Sequence, residues 1–180
     1  MKKVVILGAG LATRLYPITH HIPKVLVNYK QHTILHHLYN TYHRSGAQEI
    51  IVVVHSKFAK QVREYAKLFK LDVIVETVDE AYGSAYAISQ IGNRINGHNV
   101  VFNWCDVILR FDSFSWDHDC IYTFGDECRY NFDGNELNET GGTGGNVVGI
   151  YQYRDFFINK FDYKDEANEY FKGRDFVELL

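Results

Sequence analysis

Five residues in the first two thirds of the chain have side chains or backbones suited to binding phosphate and a divalent cation. Gly8 and Gly10 directly follow an apolar run, and Arg14 and Lys24 bring two cations to the same segment. Glycine can take positive φ or let a ligand approach closely, so successive backbone N–H groups can surround a phosphate. Asp106 ends a later apolar run, and a carboxylate is the ligand that Mg²⁺ commonly takes at nucleotide sites. The five residues predict a site for a nucleotide phosphate with Mg²⁺.

The glycine turn matches neither of two common nucleotide-binding motifs. A dinucleotide fingerprint needs a third glycine that opens a regular helix, whereas Thr13 stands there and Pro17 and Pro23 interrupt the segment. A Walker A loop needs Gly-Lys-Ser/Thr after four spacer residues, and the sequence has no such run here. We therefore predict a long phosphate loop held by prolines. An NAD-type dinucleotide-binding domain stays open as an alternative, supported by the strand and the glycine turn alone.

The segment from Leu7 to Thr19, LGAGLATRLYPIT, followed by Pro23-Lys24, resembles the signature of the nucleotidylyltransferases, or pyrophosphorylases, that activate sugar 1-phosphates and related phosphorylated alcohols. The resemblance implies a three-layer α/β/α Rossmann-like (GT-A-like) fold with a mixed, mostly parallel sheet. It also implies a Mg²⁺-dependent reaction that condenses an NTP with a phosphorylated acceptor, giving an NDP-sugar or NDP-alcohol and pyrophosphate. Ala12 departs from the family, which commonly has a third glycine at this position.

The resemblance gives each of these residues an expected role. Arg14 holds the β and γ phosphates, Lys24 sits near the α or acceptor phosphate, and Asp106 is both catalytic and the metal ligand. Displacement at the α-phosphorus needs little covalent chemistry from the protein, because the acceptor phosphate is already a nucleophile. The expected nucleotide contacts are Leu7, Gly8, Ala9, Gly10, Leu11, Ala12, Thr13, Glu80, Gly83 and Ser84, and the expected acceptor contacts are Glu139, Asn146 and Gly149.

A second glycine-containing segment precedes a predicted small-residue helix over Ser84–Ile91. Gly83 and Ser84 follow a strand, and a helix entrance presents unpaired N–H groups. This segment resembles the family's Gly-Thr-Ala segment that holds the base and sugar, with Ser84 in place of the threonine. An ordinary capped helix is the alternative.

Three carboxylates, Glu76, Asp79 and Glu80, lie near the expected base pocket. A carboxylate accepts hydrogen bonds from the cytosine amine or from guanine N–H groups and repels the carbonyls of uracil and thymine. The three carboxylates therefore favour CTP or GTP as the nucleotide substrate. The alternative is that all three are solvent-exposed loop charges.

The second half of the chain matches the family less closely. Residues 146–153, NVVGIYQY, resemble the family's Gly-Ile-Tyr strand beside the acceptor, but Asn138-Glu139-Thr140 stands where the family often has Glu-Lys-Pro. The missing lysine leaves the contact to the acceptor phosphate unassigned and keeps a catalytically silent nucleotide-sugar-binding module open as an alternative. Relatives continue to a strand with a second metal-binding aspartate. No clear equivalent is present here, and the resemblance covers roughly residues 1–155. We therefore expect one domain over 1–180, truncated at its C-terminal end relative to the family; either the chain is a fragment of a longer protein or it uses a single acidic metal ligand.

Composition limits the classes of partner. With 180 residues, 46% of them hydrophobic, one core is expected. The balance of 19 basic against 22 acidic residues gives no general basic field, so we expect neither nucleic acid nor a membrane as partner. Three cysteines without a CxxC pair argue against a disulfide framework or a zinc site and predict a cytoplasmic protein. A homo-oligomer and a further C-terminal domain are both left open.

Hydrophobic periodicity predicts the elements that position these residues. Strands that alternate with helices over short links indicate a parallel sheet with right-handed crossovers. Adjacent histidines on the first helix splay apart, so we expect no metal there. Strands are predicted over residues 4–7, 49–54, 71–76, 99–103, 120–124 and 146–153, with an extended piece over 25–27 and a hairpin turn at Asp133-Gly134; helices are predicted from the Thr33 cap to Arg44, over 57–68 behind a Ser56 cap, and over 154–161, 165–171 and 174–180.

Overall fold

Buried strands alternate with amphipathic helices along the first hundred residues. The computed structural model describes residues 1–109, 114–123, 131–132, 137–138 and 145–162. Its helices are α1 (Ile34–Arg44), α2 (Ala59–Leu68), α3 (Ser84–Gln90) and α4 (Gly92–Ile95). Its strands are β1 (Lys2–Gly8), β2 (Asn28–Tyr29), β3 (His32–Thr33), β4 (Glu49–His55), β5 (Ile74–Val78), β6 (His98–Trp104), β7 (Cys120–Thr123), β8 (Asn131–Phe132), β9 (Leu137–Asn138) and β10 (Gly145–Phe156).

Strand β1 lies inside the main sheet, between β4 and β6. The strand order of the sheet is β5-β4-β1-β6-β10-β8-β9, and β7 also pairs with β10. The pairs β5–β4, β4–β1 and β1–β6 are parallel, whereas β10 runs antiparallel to β6. Parallel strands need a crossover between them, and the helices provide it. This confirms the predicted α/β fold with a mixed sheet.

Two apolar layers cover the two faces of the sheet. On one face, Leu38 of α1 and Val62 of α2 are fully buried with Val4 and Val52. On the other face, Ile88 of α3 and Ile95 of α4 pack with Phe102. Strands buried on both faces are near-continuous apolar runs, as β1 and β4 are.

The register of the parallel strands brings the ends of β1 and β6 side by side. Leu7 pairs with Trp104, and the Cys105 N–H donates to the Leu7 carbonyl at 3.2 Å. The carboxyl ends of parallel strands open into the crevice where ligands of such sheets bind. The glycine bend after β1 and Asp106 after β6 therefore lie at the same edge of the sheet.

Several predicted boundaries are confirmed and others are wrong. Helix α1 begins after Thr33, whose Oγ1 accepts from the His36 N–H at 3.2 Å. Ser56 does not cap α2; the His55 side chain accepts from the Lys57 N–H, and a 3₁₀ turn over Ser56–Phe58 precedes the helix.

Two further strand predictions near the glycine bend and α2 are corrected. The third parallel strand begins at Ile74, because the Leu71 N–H bonds back to the Ala66 carbonyl and closes the end of α2. Residues Lys24–Leu26 form a 3₁₀ turn and not an extended piece, since the Val27 N–H donates to the Lys24 carbonyl.

The predicted helix over 154–161 is wrong. Strand β10 continues to Phe156, where it pairs with His98 across a bulge, and Phe156 and Ile158 are buried against the α3–α4 face. Burial of these side chains outweighs the local helical pattern. The predicted helices over 165–171 and 174–180, residue 124 of the strand over 120–124 and the turn at 133–134 lie outside the described residues.

Candidate active site at the carboxyl ends of β1 and β6

Gly8 ends β1 at a point where no side chain fits. A Cβ on Gly8 would lie 2.5 Å from Val25 Cγ1 and 3.4 Å from the Val53 carbonyl oxygen. Val25 is fully buried and belongs to the 3₁₀ turn that begins at Lys24. The glycine thus lets this turn pack directly on the strand end, which sets the position of Lys24.

Lys24 and Asp106 form an ion pair across the crevice. The Lys24 Nζ donates to Asp106 Oδ2, and the two side chains are 25% and 49% exposed. An ion pair open to water contributes little stability, so the pair can exchange partners when an anion or cation arrives. The structure therefore brings together one predicted cation and the predicted metal ligand.

The loop between β1 and that turn holds Ala12 in a left-handed conformation, with φ 50° and ψ 47°. Its carbonyl accepts from the Leu15 N–H at 2.9 Å and from Thr19 Oγ1 at 2.8 Å. Thr19 is 1% exposed, so its hydroxyl is a fixed internal support of the loop. Sequence reasoning missed Thr19; a hydroxyl residue between two prolines was the available signal.

Arg14 lies on the exposed surface of the same loop, in a 3₁₀ turn over Thr13–Leu15. It makes no ion pair or hydrogen bond with the part of the chain that the structure describes. A guanidinium without a protein partner is available for bidentate binding of a phosphate.

The glycine bend and the start of α3 face one another across a cavity of about 130 Å³. Gly83 has φ 97° directly before α3, a conformation that favours glycine. The sequence-predicted nucleotide residues are thus brought together from two segments. The described lining residues are Leu7, Ala9, Gly10, Ala81, Gly83, Ser84, Ala87 and Trp104, while Gly8, Leu11, Ala12, Thr13 and Glu80 belong to the flanking segments.

Trp104 is a site residue that sequence reasoning missed. It lines this cavity and also a second cavity of about 160 Å³. Tyr151 and Tyr153 line the second cavity. The Trp104 ring lies against Gly149, which has φ 81°. Glycine inside a strand indicates close approach of another group, and here that group is the indole.

The remaining predicted residues are the three carboxylates expected near the base and two residues expected to contact the acceptor. Glu76 forms an ion pair with Arg94, with Oε1 and Nε 2.7 Å apart, so its carboxylate already has a partner within the protein. Asp79 and Glu80 are exposed. Asn146 lies on β10, and Glu139 lies outside the described residues.

The buried thiol beside the ion pair is chemically quiet. Burial raises the pKa of Cys105 to about 12, so the thiol is protonated at neutral pH. A protonated thiol is neither a nucleophile nor a metal ligand.

Among residues 1–109, 114–123 and 145–162, no three His, Cys, Asp or Glu side chains are grouped so that they could hold a metal ion. In the described part of the chain, no helix has the length and apolarity needed to cross a membrane.

Three solved structures share this fold. A protein from Bacillus anthracis assigned as a glucose-1-phosphate thymidylyltransferase has a TM-score of 0.69 and 19% identity, with 86% of this chain and 72% of that chain covered. HddC from Yersinia pseudotuberculosis, complexed with GMP-PN, has a TM-score of 0.68 and 21% identity over 91% and 81% of the two chains. The CTP:phosphocholine cytidylyltransferase of Streptococcus pneumoniae has a TM-score of 0.63 and 20% identity over 98% and 81%. At these identities the likeness establishes the fold.

Sequence comparison establishes the family. No curated protein matches the chain. The family model described as nucleotidyl transferase matches residues 3–115, which are more than half of the 180 residues and include the glycine bend, Lys24 and Asp106. The chain belongs to the nucleotidyl transferase family.

Proposed function

We propose that this chain transfers a nucleoside monophosphate from an NTP to a phosphorylated small-molecule acceptor and releases pyrophosphate. The observation that carries the proposal is the Lys24–Asp106 ion pair, which lies where the carboxyl ends of β1 and β6 meet beside the glycine bend. The pair sets an ammonium group, which can neutralise phosphate, beside a carboxylate, which can bind a cation. Both side chains are partly exposed to solvent, so a ligand can reach them.

In the proposed reaction, the residues of this chain bind and orient two phosphorylated substrates. The backbone over residues 8–13 surrounds the triphosphate, and Arg14 forks onto its β and γ oxygens. Lys24 leaves Asp106 and neutralises the α-phosphate or the acceptor phosphate as a point charge. The acceptor phosphate oxygen then attacks the α-phosphorus while the bond to pyrophosphate breaks, and no protein nucleophile is needed.

Asp106 fits a role as ligand for Mg²⁺ that arrives with the nucleotide. A single, half-exposed carboxylate is too few ligands for a cation bound by protein alone, but Mg²⁺ commonly takes one or two carboxylates plus phosphate oxygens and waters. When bound there, the cation would stabilise the negative charge that develops on the phosphates. Asp106 supplies the fixed oxygen ligand, and its separation from Lys24 would accompany binding.

Two finer assignments belong to the proposal. CTP or GTP is the proposed nucleotide. The proposal rests on the exposed carboxylates of Asp79 and Glu80, which precede the cavity-lining Ala81 in the chain, because Glu76 is paired with Arg94. The acceptor is proposed to contact Gly149, Asn146 and Glu139. A cytoplasmic location is proposed from the cysteine pattern.

The experiment is steady-state pyrophosphate release with each of the four NTPs, Mg²⁺ and a panel of sugar 1-phosphates and other phosphorylated alcohols. We expect turnover with CTP or GTP, and losses on the order of 100-fold for Arg14→Ala and Lys24→Ala, because each removes a charge from the transferring phosphates. Lys57→Ala, an exposed lysine outside the loop, is the matched control. Near-normal turnover in both loop variants would contradict the proposed reaction, and exclusive use of UTP or dTTP would contradict the base assignment alone.

A further inference from the structure

The backbone turn that carries Asp106 is tied at both ends to the side-chain amide of Asn103. The turn spans Trp104 to Val107, and the Val107 N–H donates to the Trp104 carbonyl at 3.0 Å. Asn103 Nδ2 also donates to the Trp104 carbonyl and, at 3.1 Å, to the Val107 carbonyl. Because the amide binds both ends of the turn, the backbone on either side of Asp106 is held to the end of β6.

The Asn103 amide is itself held by Tyr42 of α1. The Tyr42 hydroxyl donates to Asn103 Oδ1, and the two residues are 0% and 1% exposed. Burial, and then the neighbouring Tyr122, raise the pKa of Tyr42 well above its usual value, so the hydroxyl keeps the proton that it donates. Turning the amide over would set its oxygen against two carbonyl oxygens, so this network favours a single orientation of the amide. The amide is therefore fixed before any ligand arrives.

The same helix contacts the 3₁₀ turn that begins at Lys24. At the start of α1, the Ile34 N–H donates to the carbonyl of Val27, the residue that follows this turn, at 3.0 Å. Near the end of α1, Tyr42 holds the Asp106 turn through its bond to the amide. One helix therefore connects the two segments whose side chains form the ion pair, although these are 82 positions apart in the chain.

We propose that Asn103 and Tyr42 are positioning residues for Asp106, which keep its carboxylate in place when Lys24 moves to a phosphate. The inference rests on the proposed function for the cation that Asp106 would then bind. While the ion pair is intact, Lys24 itself restrains the carboxylate. Once Lys24 has left, the restraint must come from the backbone turn. Groups that orient a metal ligand change the affinity for the metal when they are removed, whereas an ordinary buried hydrogen bond changes the stability of the fold alone.

A second network of the same kind provides a matched control. The Tyr122 hydroxyl donates to Gln152 Oε1 at 3.3 Å, and Gln152 Nε2 donates to the Ser115 and His118 carbonyls, each at 2.8 Å. Tyr122 packs against the same apolar cluster as Tyr42, but its hydroxyl binds an amide that holds a segment without any predicted site residue. Tyr122→Phe therefore removes a similar hydrogen bond away from the proposed metal ligand.

Amide hydrogen exchange, measured by NMR, tests the hold on the turn without any ligand. The Val107 N–H reports opening of the turn, and the N–H of Val52, fully buried on β4, reports opening of the sheet. In Tyr42→Phe we expect exchange at Val107 to accelerate about fivefold more than exchange at Val52, because the amide that closes the turn has lost a hydrogen bond. In Tyr122→Phe the two rates should change by the same factor. An equal change at Val107 and Val52 in Tyr42→Phe, or none at either, would overturn the proposal.

Binding of inorganic triphosphate tests what the hold does for the cation. Triphosphate carries the phosphate groups of every NTP but no base, and without an acceptor no transfer takes place. Calorimetric titration of the full chain gives its Kd without and with Mn²⁺, and the ratio of the two values is the enhancement by the metal. We expect Asp106→Asn to abolish the enhancement, Tyr42→Phe to lower it about tenfold and Tyr122→Phe to leave it unchanged. An unchanged enhancement in Tyr42→Phe would overturn the positioning role, and no enhancement in the wild-type chain would overturn it together with the metal role of Asp106.

Removal of the whole amide provides a second variant. Asn103→Ala should lower the enhancement at least as far as Tyr42→Phe does. Its matched control is Asn96→Ala, since the Asn96 side chain accepts from the Ile158 N–H at 2.9 Å and donates to the Ile158 carbonyl at 3.0 Å, just after β10. Asn96→Ala should lower the melting temperature and leave the enhancement unchanged. An equal loss of enhancement in the two alanine variants would overturn the proposal, and if Asn103→Ala does not fold, Tyr42→Phe decides.

The positioning role and the proposed reaction fail separately. An enhancement that Asp106→Asn abolishes and Tyr42→Phe leaves intact counts against positioning alone. The expected exchange and binding results, with no pyrophosphate release from any NTP and acceptor, count against the reaction alone. Where turnover is found, Tyr42→Phe should raise the Mg²⁺ concentration needed for half the maximal rate and leave KM for the acceptor unchanged. A fall in kcat with the same Mg²⁺ requirement would contradict the positioning role.

Discussion

The Trp104 ring occupies the space in which a side chain at Gly149 would begin. A Cβ on Gly149 would lie 2.2 Å from Trp104 Cε3 and 2.3 Å from Cδ2. The contact fixes the end of β6, which leads to Asp106, against β10, which carries Tyr151 and Tyr153. The walls of both cavities therefore depend on one glycine.

Gly149→Ala should destabilise the fold through two separate effects. The positive φ strains any L side chain, and the Cβ collides with the indole, so we expect a loss of about 3 kcal/mol or more in the free energy of unfolding. Gly97→Ala is the matched control, because Gly97 has φ 73° but open space around it and so carries the backbone strain alone. Denaturant unfolding measures both. Equal losses in the two variants would show that the Trp104 contact is unimportant.

Gly8→Ala tests whether the glycine bend sets the position of the Lys24 turn. The added Cβ must displace the buried Val25 side chain, and overpacking of this kind costs about 1–3 kcal/mol. Val25→Ala removes the side chain that the added Cβ would meet. The double variant should therefore be less destabilised, by about 1 kcal/mol, than the sum of the losses in the two single variants. Chemical denaturation of all three variants gives the coupling energy. Additive losses would contradict direct contact between the two positions.

Ala12→Gly should relieve strain in the phosphate loop. The left-handed conformation at Ala12 is unfavourable for alanine and neutral for glycine, so we expect stabilisation of up to about 1 kcal/mol by thermal unfolding. Ala66→Gly inside the right-handed helix α2 is the control and should cost about 1 kcal/mol. Destabilisation by Ala12→Gly would show that the Thr19 hydrogen bond does not hold the loop in this conformation.

His36 predicts a loss of stability in mild acid. Burial, with the neighbouring His32 and His37, lowers the pKa of His36 below its ordinary value of 6.5, and its Nδ1 has no partner in the described ranges. As the pH falls below 6.5, the unfolded chain binds a proton that the folded chain refuses, so the free energy of unfolding decreases. Urea titrations between pH 7 and pH 5 should show a shallower decrease in His36→Gln, and the wild-type slope in the exposed His43→Gln control. An unchanged slope in His36→Gln would rule out this histidine as the cause.

Local sequence patterns predicted the parts of the fold that local chemistry determines. The apolar run of β1 and the Thr33 cap of α1 were both predicted correctly. Because the carboxyl ends of parallel strands meet at one edge of a sheet, Asp106 was also correctly placed at the edge where the glycine bend lies. The Lys24–Asp106 pair joins residues 82 positions apart, and no local pattern carries that contact.

Long-range packing accounts for what was missed or wrong. No role was predicted for Trp104, because its contact with Gly149 joins two strands that are neighbours in the sheet but far apart in the chain. The segment after residue 153 has a helical composition, but pairing of Phe156 with His98 extends the strand. Tertiary contacts override local preference in both cases.

The most direct test of the central claim is the rate of Mg²⁺-dependent pyrophosphate release in Asp106→Asn. The substitution keeps the shape of the side chain and removes the charge that is proposed to hold the cation beside the triphosphate. We predict a loss on the order of 100-fold, since a bound cation contributes several kcal/mol to phosphoryl transfer. Asp117→Asn, an exposed aspartate whose side chain contacts only Ser115 among the described residues, should keep the wild-type rate. A wild-type rate in Asp106→Asn across the Mg²⁺ titration would contradict the account.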